Sequence, residues 1–216
     1  MKKEKLDILY EDKFLIAVNK KSGLLTIAND KEKEKTLYHE VHDYLWKKNK
    51  NNKVFIIHRL DKDTSGIVLF AKNEKIKKVM QENWENVQRY YYALVHGKFE
   101  SKSGTIINYL KETSTFKVYI SKDKTGEKAI TKYNVVNTFN NISLLEINIL
   151  TGKKNQIRVA LSDIKHPILG DKKYGKKDGM RMLCLHAYKM IFVHPITKKE
   201  IVLISKLPKY MNLQKK

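Results

Sequence analysis

The sequence contains few cysteines and prolines and no long apolar run, and each shortage excludes a class of protein. The single cysteine, Cys184, rules out an internal disulfide and a multi-thiolate metal site, and its apolar neighbours predict a buried position. Three prolines among 216 residues leave no proline-rich linker. No apolar run reaches the roughly 18 residues of a membrane-spanning helix, and residues 1–7 lack the apolar stretch of a signal peptide. We therefore expect a protein of the reducing cytoplasm.

Acidic residues are scarce relative to basic ones. The chain has 44 lysines and arginines against 23 aspartates and glutamates, which gives a formal net charge of +21. A surplus of this size attracts polyanions, most often RNA or DNA, because binding releases their counterions. Only Arg59, Arg89, Arg158 and Arg181 are arginines. These positions are candidates for contacts that need a planar, forked guanidinium.

The hydrophobic pattern predicts many strands and few helices. Short apolar or alternating runs predict strands near residues 8–10, 14–18, 24–27, 54–57, 67–71, 90–95, 116–120, 142–149, 183–192 and 200–203. Helical spacing predicts helices over 36–46, over 73–89 with Asn73 as N-cap, and to about residue 163 with Asn155 as N-cap. Because strands and helices do not alternate regularly, we expect an α+β fold with a mixed, mostly antiparallel central sheet flanked by helices and loops.

Residues 58–66 (HRLDKDTSG) form a dense polar cluster between two strands of the buried type. Asp61 follows an apolar strand end and stands two residues after Arg59. A nearby cation favours the ionised carboxylate that a nucleophile or general base needs. The same residues also suit a strand-to-turn connection in which Asp61 forms a structural salt bridge. The residues alone leave both interpretations open.

The string HRLDKDTSG, followed by AK at residues 71–72, resembles the HRLDxxTSG…AK signature of RluA-type RNA pseudouridine synthases. Further segments resemble motifs of that family in the same order: VNKKSGL at 18–24, RYYYALV at 89–95, LTGKKNQIRV at 150–159 with HPILGDKKYG at 166–175, and LCLHA at 183–187 with FVHP at 192–195. The resemblance implies the pseudouridine-synthase catalytic fold with a central cleft. It also implies one catalytic domain over residues 1–216, without the N-terminal S4-type RNA-binding module that many relatives carry.

The resemblance implies catalytic roles for three residues. Asp61 falls on the catalytic aspartate of the family. Tyr91 falls on the active-site tyrosine, which lies against the target base and is a candidate proton acceptor. Arg158 falls on the arginine that pairs with the aspartate. The candidate substrate-binding residues are His58, Arg59, Thr64, Asn155 and Gln156.

The implied reaction converts uridine in structured RNA, of the 23S ribosomal or transfer type, to pseudouridine. The N1–C1′ bond must break, the uracil must turn, and C5 must bond to C1′. Asp61 either attacks C1′ or promotes loss of the C2′ proton to give a glycal-like intermediate, and both routes stay open. The target base must be flipped out of its RNA fold. The reaction needs no metal or organic cofactor, and the sequence offers neither a glycine-rich phosphate loop nor a His/Cys ligand set. A monomer with no membrane or DNA partner is our default expectation.

The sequence departs from the family pattern at two places. Residues 153–155 (KKN) stand where the family has RTH, and Lys21 stands where it has proline. We expect the first change to alter groups that contact RNA and the second to loosen a turn. Because no S4-type module is expected, RNA affinity must come from the catalytic domain itself. Its candidate sources are the lysine-rich segments 47–53, 122–128, 172–177 and 205–216.

Two other functions are compatible with parts of the pattern. A non-catalytic RNA-binding or ribosome-assembly factor on the same fold explains the charge equally well, but it does not require Asp61, Tyr91 and Arg158 together. A hydrolase acting on nucleosides or glycosidic bonds would use the same carboxylate and release free uracil. The isomerase remains the preferred hypothesis.

Overall fold

The computed structural model of the protein describes residues 6–30 and 32–212. These residues form two compact units, each with its own antiparallel strands. Unit 1 contains the described residues of Met1–Val87 together with Ala187–Lys206, and unit 2 contains Gln88–His186 and the described residues of Leu207–Lys216. The predicted α+β class with mostly antiparallel strands is confirmed. Part of the lysine-rich segment 205–216, residues 213–216, lies outside the described residues.

Unit 1 is built on strands arranged in the order β1-β2-β4-β10-β11, with β3 paired to β4. Its elements are β1 (Ile8–Glu11), β2 (Leu15–Lys20), α1 (Leu37–Lys48), β3 (Phe55–Ile56), β4 (Ser65–Ala71), α2 (Glu74–Glu82), β10 (Leu185–Val193, entering unit 1 at Ala187) and β11 (Glu200–Ile204). Strand β4 is buried along its whole length and pairs antiparallel with β2 and β3. Its side chains form the core with Leu15, Met80 and Phe192. The HRLD segment therefore leads directly into the most buried strand of the unit.

The helices of unit 1 begin where side chains cap them. Thr36 accepts a hydrogen bond from the backbone of His39 at the start of α1, and Asn73 accepts one from Ile76 at the start of α2. The prediction that α2 continues to residue 89 is wrong, because the helix ends at Glu82 and a short 3-10 turn follows over Trp84–Asn86. The indole of Trp84 stacks on His58 with ring centroids 4.6 Å apart. This ring contact joins the 3-10 turn to the HRLD segment.

Unit 2 is built on strands in the order β5-β9-β8-β6-β7. Its elements are β5 (Gln88–His96), β6 (Ser103–Glu112), β7 (Val118–Ile120), β8 (Glu127–Phe139), β9 (Ile142–Ile149) and α3 (Gln156–Asp163). All neighbouring pairs in this order are antiparallel. Helix α3 packs against β6, β7 and β8, where Val159 joins a core of Leu110, Val118 and Ala129. One face of this sheet is thus covered by the helix that carries Arg158.

Several expectations from the pattern need correction. The strand predicted over 24–27 is only an isolated bridge between Leu25 and Thr36. The strand predicted over 116–120 begins at Val118, because Phe116 adopts a left-handed turn conformation. Strands β6 and β8 were not predicted, since many of their side chains are exposed and polar and break the apolar alternation.

Two further expectations concern the burial of Cys184 and the presence of membrane-spanning helices. Cys184 is fully buried, as predicted, and burial raises the pKa of its thiol to about 12. No helix formed by residues 6–30 and 32–212 is both long and apolar enough to cross a bilayer.

Candidate active site

The loop that carries Asp61 is attached to the turn that follows β2. Gly23 donates its backbone N–H to the Lys62 carbonyl at 2.9 Å, and the Ser22 hydroxyl donates to the Asp63 carbonyl at 2.6 Å. On the other side of Asp61, Thr26 both donates to the Leu60 carbonyl and accepts from the Leu60 N–H. These bonds join the VNKKSGL segment to the HRLDKDTSG loop. They hold the half-buried Asp61 between two anchored neighbours.

Lys20 is the most deeply buried charge in this part of unit 1. Its side chain is only 1% exposed, and its ammonium donates to the carbonyls of Lys21, Leu24 and Lys62 at 3.0, 2.7 and 2.8 Å. Burial lowers the pKa of Lys20 to about 7, although the carboxylates of Asp63 and Asp61 act in the opposite direction. Lys20 thus fixes the backbone next to Asp61 and places a titratable ammonium near its carboxylate. Apart from the position of Lys20 in the VNKKSGL motif, nothing in the residue pattern indicates this role.

The predicted substrate-binding residues of this loop differ in exposure. Arg59 is exposed, whereas Thr64 is only 3% exposed. The Nε2 atom of His58 accepts a hydrogen bond from the Leu69 N–H at 3.0 Å, which ties the loop to β4. His58 therefore has a clear structural role. Its contact with RNA, and those of Arg59 and Thr64, stay predictions.

Gly66, the last residue of the motif, lies where no side chain fits. Its φ is +115°, and a Cβ atom there would meet the Ala187 carbonyl oxygen at 2.2 Å. Backbone atoms cannot swing aside as a flexible side chain can. The glycine is therefore required for the close approach of β4 and β10 within unit 1.

In unit 2, Arg158 is buried and forms a two-pronged ion pair with Asp171. Its Nε and Nη2 atoms each lie 2.8 Å from a different oxygen of that carboxylate, and the two side chains are 8% and 1% exposed. The guanidinium also lies over the ring of Tyr174, 5.2 Å from its centroid. Burial by itself raises the pKa of Asp171, but the guanidinium and the backbone N–H groups of Lys173 and Tyr174 outweigh it and hold the pKa below its usual value.

This pair locks the orientation of Arg158. A forked guanidinium that meets both oxygens of one carboxylate has little freedom to rotate. Asp171 and Tyr174 belong to the GDKKYG motif, and sequence reasoning assigned neither of them a role. The predicted pairing of Arg158 with Asp61 is a separate contact and stays a prediction.

Asn155 and Gln156 begin helix α3 and hold the turn before it. Asn155 has a left-handed φ of +53° and no side-chain capping bond; its Oδ1 accepts from Arg158 Nη1 at 3.2 Å instead, and its Nδ2 donates to the Tyr174 hydroxyl. The helix therefore starts at the predicted residue but without the predicted cap. The buried Gln156 accepts from the Thr151 hydroxyl and donates to the Ile130 carbonyl. Both side chains support the turn, and their predicted contact with RNA is a proposal.

Tyr91 lies on β5, with its side chain 8% exposed and its backbone opposite Ile147 of β9. Neighbours in a strand point to opposite faces, so Tyr90 and Tyr92 lie on the other face. Arg89 shares the face of Tyr91 and is 7% exposed. Burial lowers the pKa of Arg89, and its interaction with Tyr91 acts in the opposite direction. A Cβ atom on Gly152 would lie 2.8 Å from Nη1 of Arg89, so the glycine leaves room for the guanidinium in its present orientation.

Lys153 and Lys154, which stand where the family has arginine and threonine, form ion pairs with neighbouring strands. Lys153 pairs with Glu127 at 2.5 Å, and Lys154 pairs with Glu112 of β6. The Lys154 ammonium also lies 5.1 Å from the centroid of the Phe116 ring. The two lysines therefore tie the turn before α3 to the neighbouring strands.

The sequence matches the family model for RNA pseudouridylate synthase over residues 14–163. An uncharacterized RNA pseudouridine synthase of Mycoplasma genitalium is 37% identical over 203 residues, covering 90% of this chain and 64% of the relative. The tRNA pseudouridine synthase C of Haemophilus ducreyi is 34% identical over 224 residues, covering 92% of this chain and 89% of the relative. The ribosomal large subunit pseudouridine synthase D of Borreliella burgdorferi is 34% identical over 195 residues, covering 85% and 60%. The chain thus spans about two thirds of the length of some relatives.

A solved structure supports the same fold. Human RNA Pseudouridylate Synthase Domain Containing 4 matches with a TM-score of 0.80 and 24% identity, over 95% of this chain and 90% of that chain. The resemblance seen in the motifs and the predicted fold are both confirmed. The chain belongs to the RNA pseudouridylate synthase family, of the RluA type.

Proposed function

We propose that the protein is an isomerase that converts specific uridines of structured RNA to pseudouridine. The observation that carries this proposal is the complete HRLDKDTSG loop, in a member of this family, with its backbone held on both sides of Asp61. In the proposal Asp61 is the catalytic carboxylate. Tyr91 accepts a proton, and Arg158 is the guanidinium partner of the carboxylate.

The reaction is an isomerisation, so the RNA gains and loses no atoms overall. The N1–C1′ bond breaks, the uracil turns while it stays bound, and a C5–C1′ bond forms. C5 loses its proton and N1 gains one. Asp61 either attacks C1′ and is displaced when C5 bonds there, or removes the C2′ proton and returns it after the C5–C1′ bond has formed. Tyr91 takes up the C5 proton. Water must be excluded during the step, because hydrolysis would release the base.

RNA is the proposed partner because of the protein's net positive charge and its similarity to enzymes named for RNA substrates. The net charge of +21 favours a polyanion, and relatives are named for transfer RNA and for the large ribosomal subunit. The target uridine is flipped from its RNA fold into the site. The proposed RNA contacts are His58, Arg59, Thr64, Asn155 and Gln156. We further propose that the protein works in the cytoplasm as a monomer, with residues 1–216 as one catalytic domain and without DNA as a substrate.

The test uses transfer RNA and large-subunit ribosomal RNA extracted from a strain that lacks the gene. Each RNA is incubated with the purified protein, and pseudouridines are mapped by carbodiimide adducts that stop reverse transcription. We expect the wild-type protein to restore the sites lost on deletion. Asp61→Asn should restore none, whereas Asp63→Asn, the matched change at an exposed neighbour, should retain activity.

The outcomes separate the proposal from its alternatives. If deletion removes no pseudouridine and the protein restores none, the isomerase proposal is wrong. If Asp61→Asn complements the deletion fully, the protein acts as a binding or assembly factor. Release of free uracil from the RNA would identify a hydrolase.

A further inference from the structure

The turn between β6 and β7 presents an aromatic ring to solvent. Phe116 lies at this turn and is 69% exposed, more than any other large hydrophobic side chain of residues 6–30 and 32–212. The turn is closed by the Thr113 N–H bonded to the Lys117 carbonyl and by the Phe116 N–H bonded to the Thr113 carbonyl, both at 2.9 Å. The exposure of this ring is therefore built into an ordered turn.

The backbone of Phe116 is strained in this position. Its φ of +61° lies in the left-handed region, which bulky residues rarely occupy and which glycine or asparagine adopts at lower cost. A turn that needed only this backbone shape would be more stable with glycine. Strain in a bulky residue, together with loss of burial, points to a function for the ring itself.

One lysine contacts the exposed ring, and two others lie at its backbone or next to it in the chain. Lys117 follows it in the chain, and the Lys154 ammonium lies 5.1 Å from the ring centroid. The Lys173 ammonium donates to the Phe116 carbonyl at 3.0 Å. Aromatic rings flanked by cations are suited to single-stranded nucleic acid, because bases stack on the ring while phosphates meet the charges.

The same turn is linked to the Arg158 site within unit 2. The Val118 N–H, two residues after Phe116, donates to the Tyr174 hydroxyl at 3.1 Å. The ring of Tyr174 lies under the Arg158 guanidinium, and Lys173 is its chain neighbour. Phe116 is therefore held at a defined place relative to Arg158 by side chains of the GDKKYG motif.

We propose that Phe116, with Lys154 and Lys173 beside it, is a stacking platform for an unpaired base of the RNA. The base would be a neighbour of the target nucleotide, since the target itself enters the catalytic site. This inference rests on the proposed function for the identity of the RNA, but the binding surface can be tested without catalysis. It gives the enzyme a preference for unpaired RNA that lysines alone do not supply.

The test compares the binding of two labelled probes by fluorescence anisotropy. One probe is an oligouridylate of about twelve nucleotides, and the other is an RNA duplex of the same length. Phe116→Ala should weaken binding of the oligouridylate about five- to hundredfold, the range expected for loss of one base–aromatic stack, and leave duplex binding nearly unchanged. Phe116→Trp should retain tight binding. Phe116→Leu, which keeps an apolar side chain without a ring, should behave like Phe116→Ala.

Further variants separate stacking from folding and from charge. Phe116→Gly should unfold at the same or a higher urea concentration than wild type while it loses oligouridylate affinity, because glycine relieves the left-handed backbone. Ile107→Ala, an equally apolar change at a 54% exposed position of β6, serves as the matched control and should bind as wild type. Lys173→Gln should weaken both probes and lower the slope of log K against log salt by about one.

Two results overturn the platform. One is oligouridylate binding by Phe116→Ala within twofold of wild type. The other is an equal loss for the oligouridylate and the duplex. Pseudouridine mapping with the wild-type protein is run in parallel. If the wild type forms pseudouridine but Phe116→Ala binds the oligouridylate as wild type does, only the platform is rejected. If the wild type forms no pseudouridine but Phe116→Ala selectively loses oligouridylate binding, only the isomerase is rejected.

Discussion

Replacing Asp171 with asparagine would remove the carboxylate that meets the buried Arg158 guanidinium in a two-pronged ion pair. Both side chains are less than a tenth exposed, and two bonds of 2.8 Å join them, so water cannot replace the carboxylate. Removal of one partner of such a pair typically costs about 3–5 kcal/mol. Asparagine keeps one oxygen to accept the N–H groups of Lys173 and Tyr174, which places the expected cost of Asp171→Asn near the lower end, about 3 kcal/mol. Urea unfolding followed by circular dichroism measures this loss.

Two further variants decide whether the loss comes from the broken ion pair. Asp163→Asn changes an exposed carboxylate of the same helix as Arg158 and should cost less than about 0.5 kcal/mol. The double variant Arg158→Leu/Asp171→Leu removes both charges and should be more stable than Asp171→Asn, although it will be inactive if Arg158 is catalytic. If Asp171→Asn costs less than about 1 kcal/mol, or if the double variant is the less stable of the two, the pair does not hold Arg158 as described.

Two other predictions concern unit 1. Gly66→Ala should lower the free energy of unfolding by about 2–6 kcal/mol, because it adds backbone strain and overlap with the Ala187 carbonyl. Gly23→Ala, at φ +85° with no atom within 4 Å of its Cβ, should cost only about 1–2 kcal/mol. Equal losses in urea unfolding would contradict the steric explanation. Burial raises the pKa of Glu11, but hydrogen bonds from Lys72 and other groups lower it from 4.5 to about 2. Because this folded-state pKa lies below the unfolded one, Glu11 stabilises the fold above pH 4.5 and loses that contribution, up to about 2 kcal/mol after solvent screening, as the pH falls towards 2. The unfolding free energy of Glu11→Gln should accordingly fall less steeply than that of wild type between pH 4.5 and 2, and identical pH profiles would show that the ion pair is not stabilising.

Local patterns in the sequence were sufficient for features that depend on chain neighbours. Asn73 was predicted as an N-cap and caps α2, and the alternating residues of 142–149 form β9 as expected. Periodicity succeeds there because one face of the element is buried and the other is not. It failed for β8, where many side chains are exposed and the strand is defined by its partners β6 and β9. A strand of that kind has little apolar alternation to detect.

The sequence by itself determined the family, because the HRLDKDTSG string and the ordered motifs before and after it leave few alternatives. Only the tertiary structure decided which partners hold the motif residues in place. The ammonium of Lys20 meets the carbonyl of Lys62, 42 residues away, and Arg158 turns to Asp171 across a loop. Phe116 became a candidate RNA contact only when its exposure and left-handed backbone were known. Hydrogen bonds and burial depend on distances in space between residues that are far apart in the chain. Those distances are set only when the strands pair and the core packs, so they cannot be read from the order of the residues.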